Sequence, residues 1–535
     1  MQDFDYVIVG AGSAGCVLAN GLSQGGQYRV ALLEAGPEDR SPWIHLPIGY
    51  GKTMWDPRLN WKFETDPDPG MSNRRIYWPR GKVLGGSSSI NGLIFIRGQK
   101  TDYEHWASLG NTGWGWDDVL PYFHRSEGND RLGGALHGQD GPLKVSSIRT
   151  RHPLVDAFIG SANALGVPHT DDFNGLDQEG VGYYQLTTHK GMRCSTATAY
   201  LKPARKRPNL TVLTGAHATR VVMDAASRRA TGVEFIQAGQ RHTVRARREV
   251  ILSAGALQSP QLLQLSGVGP GDLLRKHGIE VLHDGPGVGE NLQDHLQIRL
   301  IMEANRPITT NDQLRTWYGQ VRMGLEWLLL RSGPLAIGIN QGGLFTRVHP
   351  QAQTPDIQFH FSTLSADMAG GQVHPFSGFT LSVCQLRPLS RGHVRIRSVD
   401  ALEPPSMQPN YLSHPLDQET AVAAVRFARQ LTEVDPLRSL VAREHRPGLQ
   451  ARDDEALLDF ARQYGATIFH PSGTCKMGPD SDPMAVTTPR LAVRGVSGLR
   501  LVDCSVMPTL VSGNTNWPAV MMAEKAVDMI REDAR

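Results

Sequence analysis

Cysteine is scarce: five residues in 535 (Cys16, Cys194, Cys384, Cys475 and Cys504), far apart and without a CxxC pair. That argues against both a disulfide framework and a zinc site, and a reducing compartment is expected. Net charge is nearly absent as well. Lys and Arg number 55 against 52 Asp and Glu, and no long run of one sign offsets the balance, so no nucleic-acid partner is expected. No apolar run approaches the ~18 residues of a spanning helix. The first residues lack the basic and apolar segments of a signal peptide, and no repeat of a few tens of residues is visible. A soluble, cytoplasmic protein is expected, any contact with the inner membrane being peripheral.

What is present points to a large folded chain. A chain of 535 residues implies two or more domains, or one core with a second domain inserted. Hydrophobic residues at 40% against 20% charged indicate a globular rather than a disordered chain. The first legible unit is Asp5-Tyr6-Val7-Ile8-Val9, then Gly10-Ala11-Gly12-Ser13-Ala14-Gly15, then a helical pattern through Val17, Leu18 and Leu22. A second strand, 30–33, ends in Glu34, close to the ~20-residue offset of an acidic ribose ligand. Strand, tight turn, helix and acid together predict a βαβ dinucleotide unit. Gly10 permits the turn, Gly12 lets a pyrophosphate approach the backbone, and Gly15 lets helix and strand pack closely. The helix N-terminus then faces the phosphates.

Residues 42–80, rich in Pro, Trp and Asp, are expected to run over the cofactor or the surface. The cluster Gly81-Lys82-Val83-Leu84-Gly85-Gly86-Ser87-Ser88-Ser89-Ile90-Asn91-Gly92 leads straight into apolar residues, and its amides can line a second anion or ring contact. Strands are predicted at 210–213 and 220–223, a hairpin over 232–247 around Ala238-Gly239-Gln240, and a return to the nucleotide sheet at 250–252. A helix is predicted over 260–265, stopped by Ser266-Gly267-Val268-Gly269-Pro270. Between about 300 and 460 the character changes: an amphipathic helix over 317–330 and strands at 356–361 and 380–385 imply a second domain built on a sheet. The apolar residues at 327–330 are expected to be ordinary core, the alternative being contact with a membrane surface or a substrate mouth.

Five ordered blocks resemble the glucose-methanol-choline (GMC) flavoprotein oxidoreductases over essentially the whole length: 10–15 with Glu34; 81–92; Gly255-Ala256-Leu257-Gln258-Ser259-Pro260 leading to 266–269; Gly289-Glu290-Asn291-Leu292-Gln293-Asp294-His295; and a C-terminal block. Within the family the likeness is to the choline, aliphatic alcohol and sorbose dehydrogenase group. The fold this implies is α/β: a Rossmann-like FAD-binding domain (1–300), a sheet-based substrate-binding domain (301–462), and a C-terminal part (463–535) that returns to the FAD domain. The residues alone do not choose FAD over NAD; the resemblance implies FAD in an extended form. It implies cofactor contacts from Gly10, Gly12, Ser13, Ala14 and Gly15, with Glu34 and Ala35 at the adenosine ribose and Val221 near the adenine. Val83, Gly86, Ser87, Asn91, Gly92, Leu93 and Ile94 would line the flavin, and Asp503 would sit by the ribityl and pyrophosphate region. Members with covalent flavin carry a histidine where this chain has Ile90, so a non-covalent FAD is expected.

The C-terminal block holds Phe469-His470-Pro471-Ser472-Gly473 and, further on, Gly513-Asn514-Thr515-Asn516-Trp517-Pro518. The resemblance places a catalytic base and its partner at His470 and Asn514, with Asn514, Thr515 and Asn516 also beside the cofactor. The chemistry needs them: hydride leaves an alcohol carbon only as the hydroxyl proton is lost, and a neutral imidazole accepts that proton. Asn514 would donate to the oxygen as it gains charge. Asn516 is its rival and is read instead as a flavin contact or helix cap. His295 is read as part of a structural turn beside the flavin entrance, and Cys475 and Cys504 as packing residues. No HxxxH, HExxH or carboxylate cluster has ligand spacing, so no metal is expected. The implied activity is oxidation of a primary alcohol to an aldehyde, electrons passing to a quinone-type acceptor. Choline, a sugar or polyol as substrate, or oxygen as acceptor, are the alternatives. A flavin-binding protein without turnover is another, against which the presence of both His470 and Asn514 stands.

Overall fold

The computed structural model describes residues 3–368 and 370–535. Strand Asp3–Val9 pairs in parallel with Val30–Glu34 on one side, Tyr6 opposite Val30, and with Gln240–Leu252 on the other, Val7 opposite Val250. Leu210–Thr214 lies beyond Val30–Glu34, and Leu499–Leu501 pairs with the end of Gln240–Leu252. These strands are nearly continuous apolar runs because both faces are covered: Val7, Ile8, Leu32 and Ile251 are fully buried. Gln240–Leu252 pairs in both senses within one sheet. Its first half closes an antiparallel hairpin with Arg229–Gln237, turning at Ala238 and Gly239, both at positive φ as a two-residue hairpin requires. Its second half, 250–252, is the expected return to the parallel strands.

Helix Ser13–Ser23 follows the first strand, and the last helix, Asn516–Asp533, packs on it so closely that a Cβ at Gly21 would stand 2.5 Å from a methyl of Val527. That contact returns the C-terminal segment to the first turn of the chain. The predicted helix at 260–265 begins two residues earlier, as Gln258–Leu265.

The second sheet is antiparallel, in the order Val441–Arg446, Leu296–Ala304, Gly378–Gln385, Ile357–Ser362, Asn340–Thr346 and Gly180–Tyr183, with Ala466–Thr467 beside Leu296–Ala304. The residue expected to begin the substrate domain, 301, falls inside Leu296–Ala304, and the sheet draws strands from three separated parts of the chain. Its faces differ sharply. Ile298, Leu300, Phe359, Phe361, Leu381 and Val383 point to one side, under helices Pro153–Ala164 and Pro415–Glu433. Gln297, Arg299, Gln358, His360, Ser382 and Cys384 alternate to the other.

Helix Trp317–Leu330 has the predicted bounds, but the expectation that its apolar residues form core is corrected. Only Gly319 and Met323 are buried; Trp317, Leu329 and Leu330 are 77%, 74% and 72% exposed. The helix lies outside the second sheet at the rim of a cavity whose wall includes Gln320 and Met323, so no layer covers its outer face. Among the described residues no helix is long and apolar enough to cross a membrane.

Candidate active site

A cavity of about 790 Å³ opens between the carboxyl ends of the parallel strands and the polar face of the second sheet. Ligands bind at that crevice in open α/β sheets. Gly10, Gly12, Ser13, Ala14, Glu34 and Ala35 line one end. The Ser13–Ser23 helix begins there at Gly12 with no side-chain cap, so its first amides are left for an anion. Glu34 is buried, one carboxylate oxygen accepting from the Ala11 N–H at 2.9 Å and the other from the Gly36 N–H at 2.8 Å. Burial pushes its carboxyl up to about 7, and lone pairs remain for a ribose hydroxyl. Gly15 does not face the cavity. A Cβ there would stand 1.9 Å from the Gly10 carbonyl oxygen, and one on Gly86 would stand 2.6 Å from the Gly12 Cα, so two glycine loops close on each other. Uncapped amides, a carboxylate with spare lone pairs and this glycine cradle fit an extended dinucleotide.

Gly86, Ser87, Ile90, Asn91, Gly92, Leu93 and Ile94 continue the wall. Their loop is held by a residue that sequence reasoning missed: Arg193, 3% exposed, donates to the Asn91 side chain at 2.6 Å, to the Asn91 carbonyl at 2.8 Å and to the Ile44 carbonyl at 2.8 Å. Nothing in its local sequence marks it; only the fold brings it under the loop. Asp503 also faces the cavity, its carboxylate accepting from the N–H groups of Gly255 (2.9 Å) and Ser505 (2.8 Å) and the Ser259 hydroxyl (2.6 Å). Two expected contacts lie elsewhere. Val83 packs with Ile44 and Leu59, and Val221 is buried in its strand with its N–H bonded to Ser266. The wall at that strand is Ala216, His217 and Ala218, because the cavity meets the strand at its first residues.

At the far end stand His470 and Asn514, with Thr515 and Asn516 leading back along the wall toward the first turn. Asn514 Nδ2 is 3.3 Å from His470 Nε2, whereas Asn516 accepts from the Ser13 hydroxyl at 2.8 Å and ties the last helix to the first turn. His295, set aside as a turn residue, bears directly on the pair: its Nδ1 is 2.9 Å from His470 Nδ1, and its Nε2 is 2.9 Å from the Leu386 carbonyl oxygen. The signal lay in two histidines whose contact only the paired Leu296–Ala304 and Ala466–Thr467 strands create.

These contacts assign the protons. A carbonyl can only accept, so His295 Nε2 carries hydrogen; neutral His295 then accepts at Nδ1 from His470 Nδ1–H, which leaves the lone pair of His470 on Nε2. A second chain orients the asparagine. The Tyr184 hydroxyl donates to the Phe359 carbonyl at 2.7 Å and accepts from Gln358 Nε2 at 3.0 Å; Gln358 Nε2 also donates to Asn514 Oδ1 at 3.3 Å. Asn514 therefore turns its N–H toward His470 Nε2. Burial holds His470 well below the ordinary histidine range, with His295, His360 and Arg80 adding to the effect. Burial likewise lowers His295 to about 4 and His360 to about 3. All three rings are neutral at pH 7.

The backbone at His470 is fixed as firmly as its ring. Its N–H donates to Asp294 at 2.8 Å, and Asp294 also accepts from the Tyr411 hydroxyl and, at 2.5 Å, from the Thr467 hydroxyl. Phe469 sits at φ +73°, held by its N–H on the Thr467 hydroxyl and by Arg80 on its carbonyl, both at 2.6 Å. A left-handed phenylalanine costs about 1–3 kcal/mol and persists where its surroundings over-determine it. All five cysteines are free, and burial pushes the Cys504 thiol, which reaches the cavity wall, up to about 12. Among the described residues no cluster of three His, Cys, Asp or Glu is disposed to hold a metal.

GMC oxidoreductase family models match residues 4–297 and 388–523. The chain is 43% identical to the mitochondrial choline dehydrogenase of Mus musculus over 99% of its own length and 90% of that protein. It is 41% identical to an alcohol dehydrogenase [acceptor] of Pseudomonas putida over 98% and 95%. A solved variant of the formate oxidase of Aspergillus oryzae RIB40, studied for modification of its FAD, superposes with a TM-score of 0.91 at 25% identity over 99% of this chain and 98% of that one. Cradle, cavity and paired C-terminal residues thus occur in a chain that both halves of one family's model recognise: it belongs to the GMC oxidoreductases, a family of flavoprotein oxidoreductases.

Proposed function

We propose that the chain binds FAD without a covalent link and oxidises a primary alcohol to an aldehyde, a quinone-type acceptor taking the electrons. The observation that carries this reading is the lone pair of His470 Nε2 and the N–H of Asn514 side by side on the cavity wall, each oriented by a relay that ends on a backbone carbonyl. FAD, when bound, supplies the hydride acceptor. His470 takes the hydroxyl proton at Nε2, and the Asn514 N–H meets the oxygen as its charge grows. The named activities of the choline and alcohol dehydrogenase relatives support a CH–OH donor. The test is anaerobic bleaching of the flavin by choline, medium-chain 1-alkanols, glycol ethers, sorbose and an aryl alcohol. Bleaching by 1-alkanols, with colour restored by a quinone and not by air, is the expected result; bleaching by none, or restoration by air within seconds, contradicts it.

Ile90 faces the cavity with a side chain that cannot form a bond to the flavin ring. Acid precipitation is therefore expected to leave the yellow cofactor in the supernatant, and colour retained in the pellet would refute the non-covalent mode.

The exposed Trp317–Leu330 helix supports a peripheral contact with an anionic bilayer. Trp317, Tyr318, Leu328, Leu329 and Leu330 form its apolar surface, with exposed Arg322 and Arg331 beside them. Such a face sits at the headgroup boundary with its cations on anionic lipid. Flotation with phosphatidylserine-containing vesicles is expected to carry the enzyme, and Leu329→Asp with Leu330→Asp to abolish it; equal recovery of both proteins refutes the contact.

A further inference from the structure

The polar face of the second sheet carries a positive charge with no carboxylate in ion-pair contact among the described residues. Arg299 lines the cavity from strand Leu296–Ala304; it pairs with Ser382, and Ser382 pairs on its other side with His360. The three form one row across three strands. Asp367 acts on Arg299 electrostatically, but its carboxylate is taken by Arg446 at 2.9 Å and His374 at 3.4 Å. Arg299 reaches only the Asp367 backbone carbonyl, at 3.4 Å. Its other N–H groups have no acceptor among the described residues. Burial draws the guanidinium down to about 10, and it stays cationic at neutral pH.

A second orphan lies in the same row. His360 is 2% exposed, faces the cavity, and its Nδ1 is buried with no partner. The row therefore offers polar groups that the protein leaves unsatisfied, and buried polar groups are ordinarily paired. Among the described residues the carboxylates in the cavity wall are Glu34 and Asp503, both at the dinucleotide end and both bound to backbone amides. Elsewhere the wall carries apolar side chains, among them Leu314, Met323, Leu335, Ile339, Leu364 and Ile468. His360 lies close enough to His470 to depress its protonation. Arg299 and His360 lie two strands apart in the row, ~10 Å.

We propose that Arg299 is a substrate-binding residue that selects an alcohol bearing a carboxylate at the other end of a medium-length aliphatic chain, an ω-hydroxycarboxylate, and disfavours the trimethylammonium group of choline. The inference rests on the alcohol-oxidising reading above and names its substrate class. Arg299 is half-buried at the cavity wall and its guanidinium has no carboxylate partner; a carboxylate ligand completes it with charge-assisted hydrogen bonds, apolar side chains of the wall meet the chain, and the hydroxyl reaches His470. A quaternary ammonium at the same place meets a like charge in a low dielectric.

The test compares anaerobic flavin reduction by 6-hydroxyhexanoate, 1-hexanol and choline in the parent holoenzyme and in Arg299→Gln and Arg299→Lys. The parent is expected to prefer 6-hydroxyhexanoate to 1-hexanol and both to choline. Arg299→Gln should lower the ratio of kcat/KM for 6-hydroxyhexanoate over 1-hexanol by about 10–100-fold, the usual range for losing hydrogen bonds between charged groups. Arg299→Lys should restore part of it. Hexanoate, which cannot be oxidised at a hydroxyl, provides a binding readout: its perturbation of the flavin spectrum should need at least about tenfold more ligand in Arg299→Gln. Bleaching by 1-hexanol with a ratio unchanged in both variants, or a parent preference for choline, overturns the role of Arg299 alone. Absence of bleaching by every alcohol in a parent enzyme that retains flavin overturns the alcohol-oxidising reading and this inference with it.

Discussion

His470→Ala is expected to retain bound flavin while reduction of that flavin by an alcohol slows about 10²–10⁴-fold, the usual worth of a positioned general base. The loss falls on the rate of reduction because His470 Nε2 is the only lone pair that the two relays present beside the Asn514 N–H. The same geometry sets the pH dependence. A base works when unprotonated, and burial lowers the affinity of His470 for a proton. The neutral, competent ring therefore persists to lower pH than in a free histidine. The acid limb of kcat/KM for the free enzyme should lie below pH 6.5, with a plateau through neutrality, and a limb centred near pH 8 would remove His470 from the role. Unchanged reduction rates in His470→Ala would do so more directly.

The second large effect separates two glycines of the first turn. Gly15→Ala places a Cβ 1.9 Å from a backbone carbonyl oxygen. Neither the strand nor the helix can yield without losing its packing, so about 1–3 kcal/mol or more of overpacking strain is expected, with a lower Tm and little bound flavin. Gly12 differs. Its φ of −78° suits any residue, and a Cβ there meets nothing nearer than the Ser253 carbonyl oxygen at 4.0 Å. Gly12→Ala should therefore fold with the Tm of the apoprotein while losing at least about tenfold in FAD affinity, 1.4 kcal/mol, because the methyl group occupies the space a pyrophosphate needs. Fluorescence titration of apoprotein with FAD, beside thermal melting without it, reads both quantities. Equal FAD affinity in Gly12→Ala and the parent would place the pyrophosphate elsewhere.

The parts legible in the sequence are those written as local patterns. The Gly10–Gly15 turn, the 238–239 hairpin turn and the apolar strand at 250–252 appear where short-range rules place them, and the strand expected at 356–361 lies one residue on, at Ile357–Ser362. His470 and Asn514 were legible only as members of family blocks, since nothing local to either says that the two face each other. His295, Arg193 and Arg299 were illegible for one reason: each acts through residues remote in the chain, 175 positions away for His295 and His470. Val221 shows a different limit: its strand follows from local pattern, but the cavity meets that strand at His217 and Ala218, and a strand pattern carries no mark of where a cavity meets it. The Trp317–Leu330 helix shows that apolar spacing records a face, not what covers it.

The pairing of His470 with Asn514 on an alcohol is tested most directly by an anaerobic single turnover of the holoenzyme with 1-hexanol, unlabelled and dideuterated at the carbinol carbon. The expected result is one equivalent of aldehyde per flavin bleached, slowed by deuterium in the parent and nearly absent in His470→Ala. A bound flavin that stays yellow with every alcohol tried, or one that His470→Ala reduces as fast as the parent, would contradict it.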